Sequence, residues 1–262
     1  MSTNVGNNNG ITIKSNRELD LMREVGKVVA EAKGVVRDAI EPGVTSREMD
    51  ILAEETIRSL GAIPSFKGYK PSPSKPFPAT ICFSFNEEIV HGIPGDRIVN
   101  EGDIISVDFG AILNGFHGDS AFTVAVGAVS KDAQLLIDST RVSLEEGIQK
   151  AVPGGRLSDI SHAVQIYAES CGFSVVREYV GHGIGRDLHE EPQVPNYTET
   201  GPGYGTMLRA GMVLAIEPML NIGTWRTKLL TDGWTVVTAD GELSAHFEHT
   251  VAITDNGPEI LT

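Results

Sequence analysis

The sequence predicts a mixed α/β (α+β) fold built from two related halves that pack into one body. Three observations predict it. Amphipathic helical patterns flank a Pro-Gly turn in each half of the chain. A strong hairpin signal, Asn114-Gly115, joins two apolar strands in the first half. Segments of the first half also recur in the second at a nearly constant offset, as a duplicated unit would.

The helices come first. Ser15-x-x-Glu18 reads as a capping box, in which two side chains satisfy backbone N–H groups that the helix leaves open. Behind it Leu21, Val25, Val28, Val29, Ala32, Val35 and Val36 follow helical spacing, and Pro42-Gly43 ends the run. Thr45-x-x-Glu48 opens a second helix, with Met49, Leu52, Ala53, Ile57 and Leu60 inward and Gly61 as its stop. An offset of 111 residues carries Pro42-Gly43 to Pro153-Gly154, Met49 to Ile160, Ala53 to Val164, Ile57 to Ala168 and Gly61 to Gly172. An offset of 109 carries Gly102 to Gly211 and Asp108 to Glu217, within two apolar runs. Pro-Gly turns and amphipathic helices are common singly, but two matches in the same order favour duplication. The expected organisation is a disordered tail over 1–10 and one folded unit over 11–262, with internal halves of roughly 11–128 and 129–262.

Composition narrows the function. Of 262 residues 40% are apolar, enough for a core, and no run of about 18 apolar residues offers a membrane span. The N-terminus MSTNVGNNNG lacks the apolar stretch of a signal peptide. Two cysteines, Cys82 and Cys171, fit a reducing compartment, so the expected location is the cytoplasm, and they are too few for a thiolate zinc site. A net charge of −14 argues against autonomous nucleic-acid binding. Residues 70–78 form a Pro/Ser-rich loop, either a site entrance or plain surface, ahead of a strand expected over Thr80 to Val90.

Four segments carry chemistry. In the first, a two-residue turn at 114–115 pairs positions whose numbers sum to 229, so Asp108 faces Ala121. Asp119 then shares the face of Ala121. The two aspartates become diagonal neighbours about 7–8 Å apart at the backbone. Two like charges on a buried face need a counter-charge, which a cation supplies; a solvated face satisfies the same pattern without one. The second segment, Gly181 to Pro192, sets His182 and His189 in a glycine-rich loop, where backbone can approach a ligand closely. It is not HExxH, since Gln193 stands where the second histidine would be. The third and fourth place Glu217 and Glu248 beside apolar runs, where a carboxylate is paired, protonated or metal-bound. Alternation gives Glu248 the same strand face as His246, with Phe247 and His249 on the other.

Together HGIP (91–94), VDFGAILNGFHGDS (107–120), GHGIGRDLHEEP (181–192), IEPM (216–219), DGW (232–234) and EHT (248–250) resemble the type I methionine aminopeptidases, in the same order from about Ile11 onward. The resemblance implies the pita-bread fold, two pseudo-symmetric halves around a curved antiparallel sheet. It implies a cytoplasmic, monomeric hydrolase that removes N-terminal methionine from peptides and nascent chains when the next residue is small. Carried over by position, the metal ligands are Asp108, Asp119, His182, Glu217 and Glu248, with Asp119 and Glu248 shared by two divalent ions. Four carboxylates and one imidazole suit Mn, Fe, Co or Zn. A water held between two ions about 3.5–4 Å apart becomes hydroxide near neutral pH. In this scheme Glu217 shuttles its proton, His189 stabilises the tetrahedral intermediate and His91 lies beside the scissile peptide. Tyr69, Phe77, Cys82, Leu188 and Trp234 fall on methionine-pocket positions. Leu188 stands where some bacterial members have phenylalanine, and His246 where some relatives have glutamine, either tuning a metal or holding a neighbour by a hydrogen bond.

Other readings fit less well. An Xaa-Pro peptidase of the same fold usually has a further N-terminal domain, for which a helix starting near residue 16 leaves no room. A binding protein that has lost catalysis typically loses ligands, and all five are kept. The 28 residues from His189 to Glu217 are too few for the inserted subdomain of the type II enzymes. Ribosome docking has no signal of its own in the sequence.

Overall fold

The computed structural model describes residues 10–71 and 75–262. All of the expected tail but Gly10 lies outside the described residues, as do positions 72–74 of the Pro/Ser-rich loop. The first half contains α1 (Asn16–Ala39), α2 (Ser46–Ser59), β1 (Ile63–Pro64), β2 (Ile81–Phe85), β3 (Glu88–Val90), β4 (Ile104–Leu113) and β5 (Phe116–Ala125). The second begins with α3 (Lys131–Ile148), α4 (Leu157–Ser170), β6 (Ser174–Val175), β7 (Gly181–Gly183), β8 (Glu190–Val194), β9 (Val213–Ile216) and β10 (Met219–Asn221). It ends with β11 (Thr227–Leu229), β12 (Val236–Thr238), β13 (Ser244–His246), β14 (His249–Thr254) and β15 (Gly257–Ile260).

Both expected capping boxes form, Ser15 with Glu18 and Thr45 with Glu48. The offset of 111 carries the observed bounds of α2, 46–59, onto those of α4, 157–170. One helix residue departs from expectation: Val35 is exposed, because it lies at the margin of the stripe that Val25, Val29, Ala32 and Val36 bury. The strand expected over Thr80 to Val90 is two strands. Asn86 adopts a left-handed φ of 51°, and its side chain donates to Asp103 and accepts from the Ile104 N–H. That local bonding turns the chain between β2 and β3.

The β4–β5 hairpin has the expected register, Asp108 opposite Ala121. Asn114 and Gly115 take φ values of 53° and 77°, the left-handed pair that a two-residue turn needs. Its counterpart in the second half is interrupted. β9 pairs with β14 and β10 with β13, leaving Glu217-Pro218 and Phe247-Glu248 between the ladders. Pro218 has no N–H to give, so only its carbonyl bonds across, to the Phe247 N–H. Glu217 and Glu248 sit in that gap.

Among the described residues the strand pairings are antiparallel and fall into four hydrogen-bonded groups. The two hairpins meet at the centre, where Ala121 and Glu248 exchange both backbone hydrogen bonds. The Thr250 hydroxyl accepts from the Asp119 N–H at 3.0 Å and donates to its carbonyl at 2.8 Å. The Thr123 hydroxyl makes the same pair of bonds with His246. Buried Val25, Val29, Phe83 and Phe109 pack the first half; Leu144, Ile160 and Val251 pack the second. Among the described residues no helix is long and apolar enough to cross a membrane.

Candidate metal centre and substrate cavity

The central seam brings the four carboxylates together. Asp108 comes from β4, Asp119 from β5, and Glu217 and Glu248 from the two breaks of the second hairpin. β7 pairs with β9, setting His182 opposite Ala215. That approach requires glycine on either side: a Cβ on Gly181 would lie 2.3 Å from the Ala215 carbonyl, and one on Gly183 2.3 Å from the Glu191 carbonyl. Asp119, His182 and Glu248 each offer a ligand atom within 4.8 Å of the others. His182 Nε2 is 3.6 Å from Glu217 and 4.0 Å from Asp119.

The electrostatics of this cluster call for cations. Burial drives the Asp108 carboxyl up to about 7. It drives Asp119, Glu217 and Glu248 well above the carboxylate range, with mutual repulsion adding to it. Among the described residues one buried oxygen each of Asp108, Asp119 and Glu248 has no hydrogen-bond partner. Burial also pushes His182 down to about 3, so its ring is neutral. Its Nδ1 lies 2.9 Å from the Gly183 carbonyl and must be the N–H that donates there. Nε2 therefore turns a lone pair toward two carboxylates. A lone pair facing anions is unfavourable unless a cation stands between them, so the donor set fits divalent metal.

The same residues line a cavity of about 340 Å³. All five residues expected at the metal, both His91 and His189, and all five expected pocket residues border it. Phe77 and Trp234 meet edge to face at 5.1 Å, and Cys82 and Leu188 are buried beside them. Burial, reinforced by Asp108, holds the Cys82 thiol well above its usual range. His91 has a left-handed φ of 61°, and burial pushes it down to about 4. His189 stands at the cavity mouth, 4.2 Å from the His182 ring, and Tyr69 Oη lies 2.7 Å from its Nδ1. His246 is buried, with Nε2 3.7 Å from Glu217 Oε2. Glu217 thus lies between two imidazoles.

Two wall residues escaped sequence reasoning, Phe66 and Pro71. Phe66 packs closely against β4 because Gly110 lacks a Cβ, which would lie 2.5 Å from the ring. No pattern around Phe66 shows that contact, since its partner is 44 residues away in the chain. Pro71 lies in the loop that could have been either entrance or surface; residue 71 belongs to the cavity wall.

The model of metallopeptidase family M24 matches residues 20–255. A methionine aminopeptidase of Clostridium acetobutylicum is 55% identical over 96% of this chain and 98% of its own. The chain belongs to the methionine aminopeptidases of family M24. The crystal structure of the Thermotoga maritima methionine aminopeptidase superposes with a TM-score of 0.92 at 48% identity, covering 96% of this chain and 99% of that one. The prolidase of Pyrococcus furiosus shares the pita-bread fold alone, with a TM-score of 0.74 at 22% identity, and this chain covers 65% of it. Family membership and the Asp119–His182–Glu248 cluster together support divalent-metal use.

Proposed function

We propose that this M24 metallopeptidase hydrolyses the peptide bond after an N-terminal methionine, preferring a small second residue. The observation that carries the reading is one cavity with two kinds of lining: unpaired carboxylates with His182, and apolar Phe66, Phe77, Cys82 and Trp234. Asp108, Asp119, His182, Glu217 and Glu248 would hold two divalent cations (Mn, Fe, Co or Zn), with Asp119 and Glu248 shared. Bound there, the cations supply a water acidic enough to ionise near a pH of about 7, a charge to polarise the scissile carbonyl, and a contact for the free amine.

The protein's own groups do the rest. Glu217 takes the proton of the attacking water and passes it to the departing amide nitrogen. Tyr69 donates its hydroxyl to His189 Nδ1, which leaves Nε2–H to donate to the oxygen that gains charge in the tetrahedral state. His91, neutral at physiological pH, positions the leaving amide. The apolar walls take an unbranched thioether, whose flexible chain adapts to an irregular surface. On this reading residues 11–262 act as one catalytic unit. It works as a cytoplasmic monomer on nascent chains, within reach of the ribosome. Unpaired Cys82 and Cys171 suit that compartment.

Methionine release from Met-Ala-Ser, Met-Arg-Ser and an Xaa-Pro peptide tests the assignment. We expect Met-Ala-Ser to be cut with a kcat/KM at least about 100-fold above Met-Arg-Ser, and no cleavage before proline. Cleavage of the Xaa-Pro peptide alone would move the protein to the prolidase activity.

A further inference from the structure

On the other face of the central strand pair lies a second cavity, of about 470 Å³. The strand alternation that turns Asp119 and Glu248 toward the metal centre turns Phe122, Phe247 and His249 here. Leu144, Ile148 and Ile260 complete apolar walls. Half of the six polar side chains on the lining are cationic, Lys33, Arg37 and Arg141, beside Glu145, Gln149 and His249, in a chain whose net charge is −14. Among the described residues Glu145 is the one acid on the lining; its carboxylate pairs with Arg141, and Arg37 pairs with Asp38 beside it.

Lys33 is the unusual member. Its half-buried ammonium donates to Ser120 Oγ at 2.7 Å, a neutral acceptor. Among the described residues no carboxylate lies within ion-pair distance of it. Burial lowers it to about 8, against the attraction of Glu248, so it stays mostly charged at neutral pH. Ser120 Oγ in turn donates to the Glu248 carbonyl, so its proton is committed away from the cavity. A half-buried ammonium with one neutral acceptor gains most from an anion brought to it. His249 also lines the cavity, with Nδ1 3.1 Å from Thr262 Oγ1.

We propose that this cavity binds a small organic anion, a carboxylate or phosphate on an apolar body, with Lys33 as its charge partner and Arg37 and Arg141 at its rim. The apolar walls select against a bare inorganic ion, and the cationic rim against a neutral molecule.

Calorimetric titration of the full-length, metal-loaded protein with hexanoate, hexyl phosphate and inorganic phosphate tests this. Saturable one-to-one binding of at least one hexyl anion is expected, with Kd on the order of 1 mM or tighter and inorganic phosphate at least about tenfold weaker. The tighter hexyl anion names the head group. Lys33→Met should weaken binding about tenfold or more, while Lys33→Arg should hold it within about threefold, with melting temperatures showing both variants folded. Anions also coordinate metals, so Asp119→Asn is titrated in parallel and should bind the hexyl anion as the unaltered protein does. Absence of binding by both hexyl anions would overturn the proposal. So would binding that survives Lys33→Met and vanishes in Asp119→Asn, because the anion would then have gone to the metal centre.

Discussion

At His182 one hydrogen bond decides the chemistry of the ring. Because Nδ1 donates to the Gly183 carbonyl, Nε2 is left as a base facing Glu217 and Asp119. Tyr69 sets the opposite tautomer at His189 on the proposed assignment, its hydroxyl donating to Nδ1 and leaving Nε2–H as the donor. Tyr69→Phe removes a hydrogen bond worth about 1 kcal/mol, so kcat should fall about fivefold with KM little changed. Steady-state kinetics on Met-Ala-Ser would read this; a rise in KM alone would make Tyr69 a wall and nothing more. Asp108 gives a pH-dependent signature in metal-free protein. Its folded carboxyl titrates near 7, above the ordinary value of 3.8, so the folded state holds the proton longer than the unfolded state does. Its stabilising contribution is full below the unfolded value and is lost as pH rises through the folded one. Metal-free protein should therefore lose melting temperature relative to Asp108→Asn between about pH 4 and pH 7. A constant difference across that range would show that Asp108 titrates normally.

The elements differ in how plainly the sequence announces them. The β4–β5 hairpin was legible to the residue, because Asn114-Gly115 fixes its register locally and Asp108 must then face Ala121. The two capping boxes were equally local. The break between β2 and β3 was not, since Asn86 stands inside an apolar run and reveals its turn only through Asp103 and Ile104. Nor was the gap at Glu217 and Glu248, which needs both strands of the second hairpin to be seen together. Glycine substitutions separate the two kinds of constraint. Gly115→Ala strains one turn and should cost about 1 kcal/mol, a melting shift of about 2–4 °C, with metal binding intact. Gly183→Ala drives a Cβ into the Glu191 carbonyl and shifts the strand carrying His182. It should cost more stability and also weaken metal binding by about tenfold or more. Equal metal affinity in both variants would mean that β7 does not position His182.

For the whole molecule, the internal repeat accounts for two of the four central carboxylates. The offset of 111 relates α2 to α4, and the offset of 109 relates Asp108 to Glu217, while Asp119 and Glu248 stand 129 positions apart and follow neither offset. Their meeting was legible only as far as that offset and the resemblance carried it. The bonds that bring the halves together, Ala121 with Glu248 and Thr250 with Asp119, join residues over 120 positions apart and leave no mark in the sequence. Asp119 stands on that seam, between both hairpins and opposite His182, so it should be indispensable to the metal and to the reaction alike. The decisive measurement is metal stoichiometry and Met-Ala-Ser cleavage on metal-stripped protein, with Mn, Fe, Co or Zn returned singly, for the unaltered chain and for Asp119→Asn. The account predicts two ions per chain and methionine release that depends on them. For Asp119→Asn it predicts fewer ions and a rate lower by about 1,000-fold or more. Full activity in Asp119→Asn, or methionine release from stripped protein with no metal added, would contradict it.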